Sequence, residues 1–123
     1  MTIAFWCVLI AGMMPYAASY IAKSRRDFDN ANPRAWLANL DGFRARASAA
    51  QLNSFEALPL FAAAVIIAYV RGASQTTIDI LAMTFIAIRI VYVALYLANL
   101  ATVRSLAWLA GLICVVSMFF VGP

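Results

Sequence analysis

Four long apolar segments with almost no charge constrain this chain more than any other feature of its sequence. They cover about residues 2–22, 45–70, 77–97 and 105–121, and a helix needs roughly 20 apolar residues to cross a bilayer. Of all residues 66% are hydrophobic and 11% are charged, whereas a soluble domain has about 25% charged residues. The sequence therefore predicts an all-α integral membrane protein, a four-helix bundle that forms a single domain over residues 1–123.

The basic residues are concentrated in the connection that follows the first apolar segment. Six of the nine Lys and Arg residues lie between Lys23 and Arg46, and a chain that crosses four times places Arg104 on the same side. The other side has only Arg71. By the positive-inside rule we expect the long first loop in the cytoplasm and both termini outside. The lack of an extended cytoplasmic tail favours a bacterial inner membrane.

The composition also excludes several kinds of site. The chain has no histidine, which removes the commonest general base and the commonest metal ligand, so no metal site is expected. Cys7 and Cys114 lie within apolar runs, which favours packing residues over a disulfide or a nucleophile. Aromatic and basic residues do not alternate on a soluble face, so nucleic-acid binding is not expected.

Polar side chains recur at helical spacing near one end of the apolar segments. Asn53 and Glu56 are three residues apart, and Arg46 lies seven before Asn53, so all three share one helix face. A carboxylate in a membrane helix should face protein or a wet cavity. The residues expected to converge toward the cytoplasmic half are Arg25, Arg26, Arg46, Asn53, Glu56, Arg89, Tyr92, Tyr96, Asn99 and Arg104.

Two interpretations of this convergence are open from the spacing alone. In the first, the residues form a pocket for a small zwitterionic ligand: arginines bind carboxylates in bidentate fashion, Glu56 binds an ammonium group, and the tyrosines supply hydroxyls and apolar walls. In the second, Glu56 and Arg89 neutralise each other inside the bundle and the tyrosines belong to the interfacial aromatic belt. The spacing favours neither.

Three sequence strings carry a family resemblance over essentially the whole chain. They are Arg46-x4-Gln51-x-Asn53-x2-Glu56-x2-Pro59, Arg89-x2-Tyr92-x3-Tyr96, and Arg104 after the last turn. With four spans and a long basic first loop, the chain resembles the MAPEG family, the membrane-associated proteins in eicosanoid and glutathione metabolism. The resemblance implies a homotrimer in membrane lipid, with glutathione as co-substrate between neighbouring subunits and a lipophilic small molecule as second substrate.

The resemblance also implies roles for individual residues. The residues implied to hold glutathione are Arg46, Gln51, Asn53, Glu56 and Arg89, with Tyr92 and Tyr96 beside it. Arg104 is implied to stabilise the thiolate, for which there is an independent physical reason. A free thiol has a pKa of about 8.5, and a nearby guanidinium favours its anion. Lowering that pKa by one to two units corresponds to roughly 1.4–2.7 kcal/mol.

Two departures from the family pattern keep other functions open. Ala49 and Ala57 stand where glutathione-binding relatives often carry an arginine and a tyrosine, which weakens the expected grip on glutathione. The first hypothesis is a glutathione- or thiol-dependent transferase or peroxidase that acts on lipophilic electrophiles. The second is a non-catalytic MAPEG-like protein that binds lipid or another thiol. The third is a small proton-coupled exporter, a class that usually places its glutamate in the first span, which is uncharged here.

Overall fold

A computed structural model describes all residues 1–123 as five helices and no strand. The helices are α1 (Ile3–Ala22), α2 (Pro33–Ala38), α3 (Gly42–Val70), α4 (Gln75–Leu97) and α5 (Ala101–Met118). All except α2 are long and apolar enough to cross a membrane. The predicted all-α fold with four long apolar helices is therefore confirmed. The short helix α2, which lies within the long first connection, was not predicted.

Local sequence explains where several helices begin and end. Thr2 is the N-cap of α1, because its Oγ1 accepts a hydrogen bond from the backbone N–H of Phe5 at 3.1 Å. Pro33 is the first residue of α2, a position where its missing N–H costs nothing. Gly72 after α3 and Asn99 after α4 adopt φ values of +73° and +61°, which the chain needs in order to reverse direction within a few residues.

Consecutive long helices run in opposite directions, so α1 is parallel to α4 and α3 to α5, and hydrogen bonds tie the helix ends together. At the end that carries the connection of residues 23–41, Arg46 Nε donates to the carbonyl of Leu97 at 3.1 Å. Beside it, Arg44 Nε donates to Ser24 Oγ at 3.2 Å. We call this the loop end of the bundle. It brings together the last turns of α1 and α4 and the first turns of α3 and α5.

At the opposite end, which we call the turn end, a carboxylate joins two helices. Asp79 Oδ1 on α4 accepts hydrogen bonds from the backbone N–H of Ala4 at 2.9 Å and from Gln75 Nε2 at 2.7 Å. The first N–H groups of a helix have no partner within it and carry partial positive charge, so a carboxylate is stabilising there. Asp79 therefore fixes the start of α1 against α4.

The bundle core combines alanine seams with a few large side chains. The α1–α3 contact is rich in buried alanine, including Ala11 and Ala64, and small residues let membrane helices approach closely. At the centre the ring of Phe61 stacks on that of Phe85, with 4.2 Å between centroids. Only 24 of 123 residues are buried, because most large apolar side chains face outward. This distribution is typical of a membrane protein rather than a soluble one.

Candidate functional site

A cavity of ≈ 230 Å³ lies between α3, α4 and α5. Its polar side chains are those of Asn53, Glu56 and Arg89. Its other lining residues are Ala57, Leu60, Phe85, Trp108, Gly111, Leu112 and Val115. The cavity therefore has a polar part nearer the loop end and an apolar part that extends toward the middle of the bundle. No group of His, Cys, Asp and Glu side chains in the chain could hold a metal ion.

Arg89 places a buried positive charge beside this cavity without a counterion from the same chain. Its side chain is 4% exposed, and its one hydrogen bond goes from Nη2 to Ser54 Oγ at 3.4 Å. Ser54 in turn donates to the carbonyl of Ala50 at 2.8 Å. Glu56 borders the same cavity but forms no ion pair with Arg89. The one ion pair in the chain joins Arg25 and Asp27, two exposed loop residues. A buried guanidinium without an anion is unfavourable, so an anionic group bound next to Arg89 would be stabilised.

Asn53 leaves a second polar group unsatisfied in the same place. Its Oδ1 is buried and accepts no hydrogen bond, although its side chain lines the cavity. A buried acceptor without a donor costs about 1–3 kcal/mol. In the polar part of the cavity the guanidinium of Arg89 therefore has no paired carboxylate and Asn53 Oδ1 has no donor, while Glu56 is exposed at the edge of the cavity.

Two arginines and two tyrosines form a continuous row from the cavity to the loop end. The guanidinium carbon of Arg89 lies 4.2 Å from the ring centroid of Tyr92. The rings of Tyr92 and Tyr96 meet edge to face at 5.8 Å, and the guanidinium carbon of Arg104 lies 4.3 Å from the Tyr96 ring centroid. These contacts hold both guanidinium groups by cation–π attraction. The row places the four predicted residues of α4 and α5 in one connected group.

Arg104 also shares a face of α5 with the cavity lining. Trp108, Gly111 and Val115 follow it at spacings of four, three and four residues, which is the spacing of one helix face. Trp108 comes about 6 Å further along the helix axis than Arg104. A reactive group held at Arg104 would therefore lie beyond the mouth of the cavity, on the side of the loop end.

The structure places two residues of the predicted binding set outside this cavity. Arg46 uses its Nε to bind the carbonyl of Leu97 at the end of α4. Gln51 is half-buried, and two residues of helix put it about 160° around α3 from Asn53. Gln51 shares the face of Phe55, four residues later, whose ring contacts Tyr16 of α1 at 5.7 Å. Gln51 therefore faces α1 rather than the cavity.

The loop residues predicted to converge on the site also lie elsewhere. Arg25 pairs with Asp27 at 2.6 Å, and both side chains are exposed. The guanidinium of Arg25 lies over the ring of Trp36 at 5.8 Å. Arg26 is exposed in the same connection, and Asn99 is an exposed turn residue. None of these side chains lines the cavity within the chain.

Several residues that build the site were not predicted from the sequence. Ser54 orients Arg89, and Phe85, Trp108 and Gly111 line the cavity. Trp108 and Gly111 carried a usable signal, since they follow Arg104 by four and seven residues. Phe85 likewise precedes Arg89 by four. The apolar character of these residues hid them, because apolar side chains are expected throughout a membrane helix.

Comparison with known protein families gives one match. The sequence profile described as "MAPEG family" matches residues 3–122, nearly the entire chain. No curated protein and no solved structure matches the chain.

Proposed function

Because the chain belongs to the MAPEG family, which includes glutathione transferases and peroxidases, we propose that it is a membrane-embedded, glutathione-dependent transferase or peroxidase that acts on lipophilic electrophiles. One observation carries the proposal. Arg89 is a buried guanidinium without a counterion from the same chain, and it lines the same cavity as Asn53, whose Oδ1 accepts no hydrogen bond. Both groups destabilise the ligand-free protein within the membrane. A ligand that pairs with the guanidinium and donates to Oδ1 would remove that destabilisation.

Glutathione has the groups that these residues lack. Its carboxylates match the guanidinium of Arg89, and its amide N–H groups match the free acceptor of Asn53. Its ammonium group matches the exposed carboxylate of Glu56 at the edge of the cavity. Tyr92 and Tyr96 lie along the row that leads from this edge to Arg104. These five side chains therefore bind and orient the peptide, and its thiol is directed toward Arg104.

The proposal includes a homotrimer with glutathione between subunits, and the positions of the remaining predicted residues support a site of that kind. The tripeptide is larger than the polar part of a ≈ 230 Å³ cavity that it must share with a second substrate. Within one chain Arg46 binds the carbonyl of Leu97 and Gln51 faces α1, so these two residues reach glutathione only if it lies between subunits. We therefore assign these two residues to a neighbouring subunit's site, with the loop end on the cytoplasmic side of the membrane.

Arg104 supplies the chemistry in this proposal. Its guanidinium favours the thiolate over the thiol, which makes the sulfur nucleophilic at neutral pH. In conjugation the sulfur forms a bond to the electrophilic carbon, and either a leaving group departs with its electron pair or a π pair moves away and takes up a proton. In the peroxidase reaction two thiols reduce one hydroperoxide, which gives a disulfide, an alcohol and water. Neither reaction requires histidine or a metal.

The proposal is tested with the full chain in lipid nanodiscs. We expect glutathione-dependent conjugation of a small electrophile, stoichiometric glutathione binding by calorimetry, and loss of turnover in Arg104→Gln. Arg71→Gln is the matched control, since Arg71 is exposed at the turn end. Failure of the wild-type protein to turn over an electrophile with any of several thiols would contradict the proposal.

A non-catalytic relative that binds lipid or another thiol is the second candidate. Ala57 lines the cavity, so the tyrosine that relatives often carry at this position would add a hydroxyl that this site lacks. Ala49 likewise replaces an arginine. Tight binding of a different thiol, or retention of a lipid with no glutathione binding, would favour this candidate over the first.

A further inference from the structure

Arg89 has more hydrogen-bond donors than the chain uses. A guanidinium carries five N–H donors and stays charged, and within the chain its one hydrogen bond goes from Nη2 to Ser54 Oγ at 3.4 Å. We propose that the protein without substrate binds a chloride ion at Arg89, in the polar part of the cavity, and that chloride and glutathione exclude each other there. Only the competition with glutathione rests on the proposed function.

No carboxylate of the chain is placed to neutralise Arg89, which is 4% exposed. The one ion pair joins Arg25 and Asp27 in the first connection. Glu56 lines the same cavity but is exposed at its edge, so water screens its attraction to the guanidinium. Asp79 precedes Arg89 by ten residues and therefore lies about 15 Å away along α4. An anion from solution can supply the charge that the chain does not.

The lining of the cavity favours a small anion with a single charge. Beside Arg89 it includes Phe85, Leu112 and Val115, which offer no donors to replace the hydration shell of a sulfate or phosphate. The guanidinium is itself weakly hydrated, so it can pair with an anion that loses water easily. Chloride is little larger than a water molecule, whose share of liquid volume is about 30 Å³, and the cavity has ≈ 230 Å³.

Asn53 can add a second donor to this site. Its side chain lines the cavity, and its buried Oδ1 accepts no hydrogen bond. A half-turn of the amide exchanges Oδ1 with Nδ2, which has nearly the same shape and two N–H donors. A chloride ion at Arg89 would favour this second orientation, because the anion attracts the N–H groups and repels the oxygen. One ion would thus satisfy both unpaired groups of the cavity.

A row of positive charge connects Arg89 with water at the loop end. The guanidinium carbon of Arg104 lies 4.3 Å from the ring centroid of Tyr96, and that of Arg89 lies 4.2 Å from the ring centroid of Tyr92. The two rings are in contact, with 5.8 Å between centroids. Charges of one sign along an entrance raise the local concentration of counter-ions. Chloride therefore has a favourable path to the cavity from the end that carries most of the basic residues.

Thermal unfolding in lipid nanodiscs, without any thiol, tests the chloride site. Chloride is replaced stepwise by gluconate at constant ionic strength, because gluconate is too large and too strongly hydrated for the cavity. For the wild-type protein we expect the unfolding temperature to rise on the order of 4 °C for each tenfold increase in chloride above its dissociation constant. Arg89→Met should remove this dependence. Arg71→Met, the matched control at the turn end, should keep it.

The wild-type protein alone provides a second test, which does not require that Arg89→Met folds. In crystals grown with bromide in place of chloride, anomalous scattering should show one ion in contact with the guanidinium of Arg89. Equal unfolding temperatures in chloride and gluconate would overturn the inference. So would a chloride effect of the same size in wild type and Arg89→Met, or a bromide map with no peak at Arg89.

Calorimetry with glutathione at constant ionic strength tests the competition. If chloride and a glutathione carboxylate bind the same donors, the Kd for glutathione should rise linearly with chloride, by up to about 30-fold between 10 and 300 mM. A Kd that does not change with chloride would overturn the mutual exclusion. An Arg89-dependent chloride effect on unfolding, in a protein that binds no glutathione, would support the chloride site and overturn the proposed function.

Discussion

Replacing Arg89 with methionine tests whether the buried charge serves a ligand or the fold. Arg89 is 4% exposed, and methionine replaces the aliphatic part of its side chain without the charge. Within the chain the guanidinium has one long hydrogen bond, to Ser54 at 3.4 Å, and one cation–π contact, to Tyr92 at 4.2 Å. If the charge exists to hold a ligand, its removal should weaken binding strongly and stability hardly at all.

The two expected magnitudes differ enough to be measured separately. Burying an ion costs several kcal/mol, against which one hydrogen bond contributes about 1 kcal/mol and a desolvated cation–π contact about 2 kcal/mol. These contributions nearly cancel, so Arg89→Met should change the free energy of unfolding of the ligand-free protein by no more than about 1 kcal/mol. A hydrogen bond to a charged group contributes about 1.5–3 kcal/mol, so the Kd for glutathione should rise about 10- to 150-fold.

Both quantities can be measured on one preparation in nanodiscs, by circular dichroism during unfolding and by calorimetry with glutathione. Arg71→Met is the matched control, because Arg71 is exposed at the turn end and donates to the carbonyl of Phe119. If Arg89→Met and Glu56→Gln each lowered stability by about 3–5 kcal/mol, the loss typical of a broken buried ion pair, the two residues would be paired between subunits. The reasoning from an unpaired guanidinium would then be wrong.

Three further predictions concern the thiolate, the start of α1 and a turn. In Arg104→Gln the pH–rate profile for conjugation should shift upward by about one to two pH units, because the thiol then ionises at a higher pH; an unshifted profile would show that Arg104 does not act on the thiol. Asp79→Ala should lower stability by about 1 kcal/mol in thermal unfolding, because the N–H of Ala4 loses its acceptor, whereas Asp79→Asn, which keeps an Oδ1, should lose little. Gly72→Ala should lower the free energy of unfolding by about 1–2 kcal/mol because of the φ of +73° at residue 72. Gly122→Ala, whose added Cβ has no neighbouring atom within 4 Å, should not change the unfolding temperature.

Part of the site could be predicted from the sequence because, in a helix, the spacing of residues determines which face their side chains occupy. The spacings among Arg89, Tyr92 and Tyr96 put their side chains on one face, and the structure has them in contact. The same rule separates Gln51 from Asn53, two residues apart. Spacing alone could not say which face of α3 meets α1 and which meets the cavity, since that depends on how the helices pack.

The distinction between an ion pair and a ligand site also required coordinates. Glu56 and Arg89 were equally compatible with mutual neutralisation and with a pocket. The structure keeps them apart at one cavity, with Arg89 buried and Glu56 exposed. Sequence separation carries no information on a contact between helices, because a small rotation of one helix about its axis decides it.

The sequence by itself determined that the chain is helical, that it has four helices able to span a membrane, and that it has no histidine for catalysis or metal binding. These properties depend on the length, hydrophobicity and composition of each segment. They do not depend on how the helices pack against one another. Only the tertiary structure decided that α3, α4 and α5 leave a cavity at Gly111, and that the acceptor of Asn53 and the charge of Arg89 remain unsatisfied beside it. Those outcomes depend on how side chains from three helices meet, and no single helix contains that information.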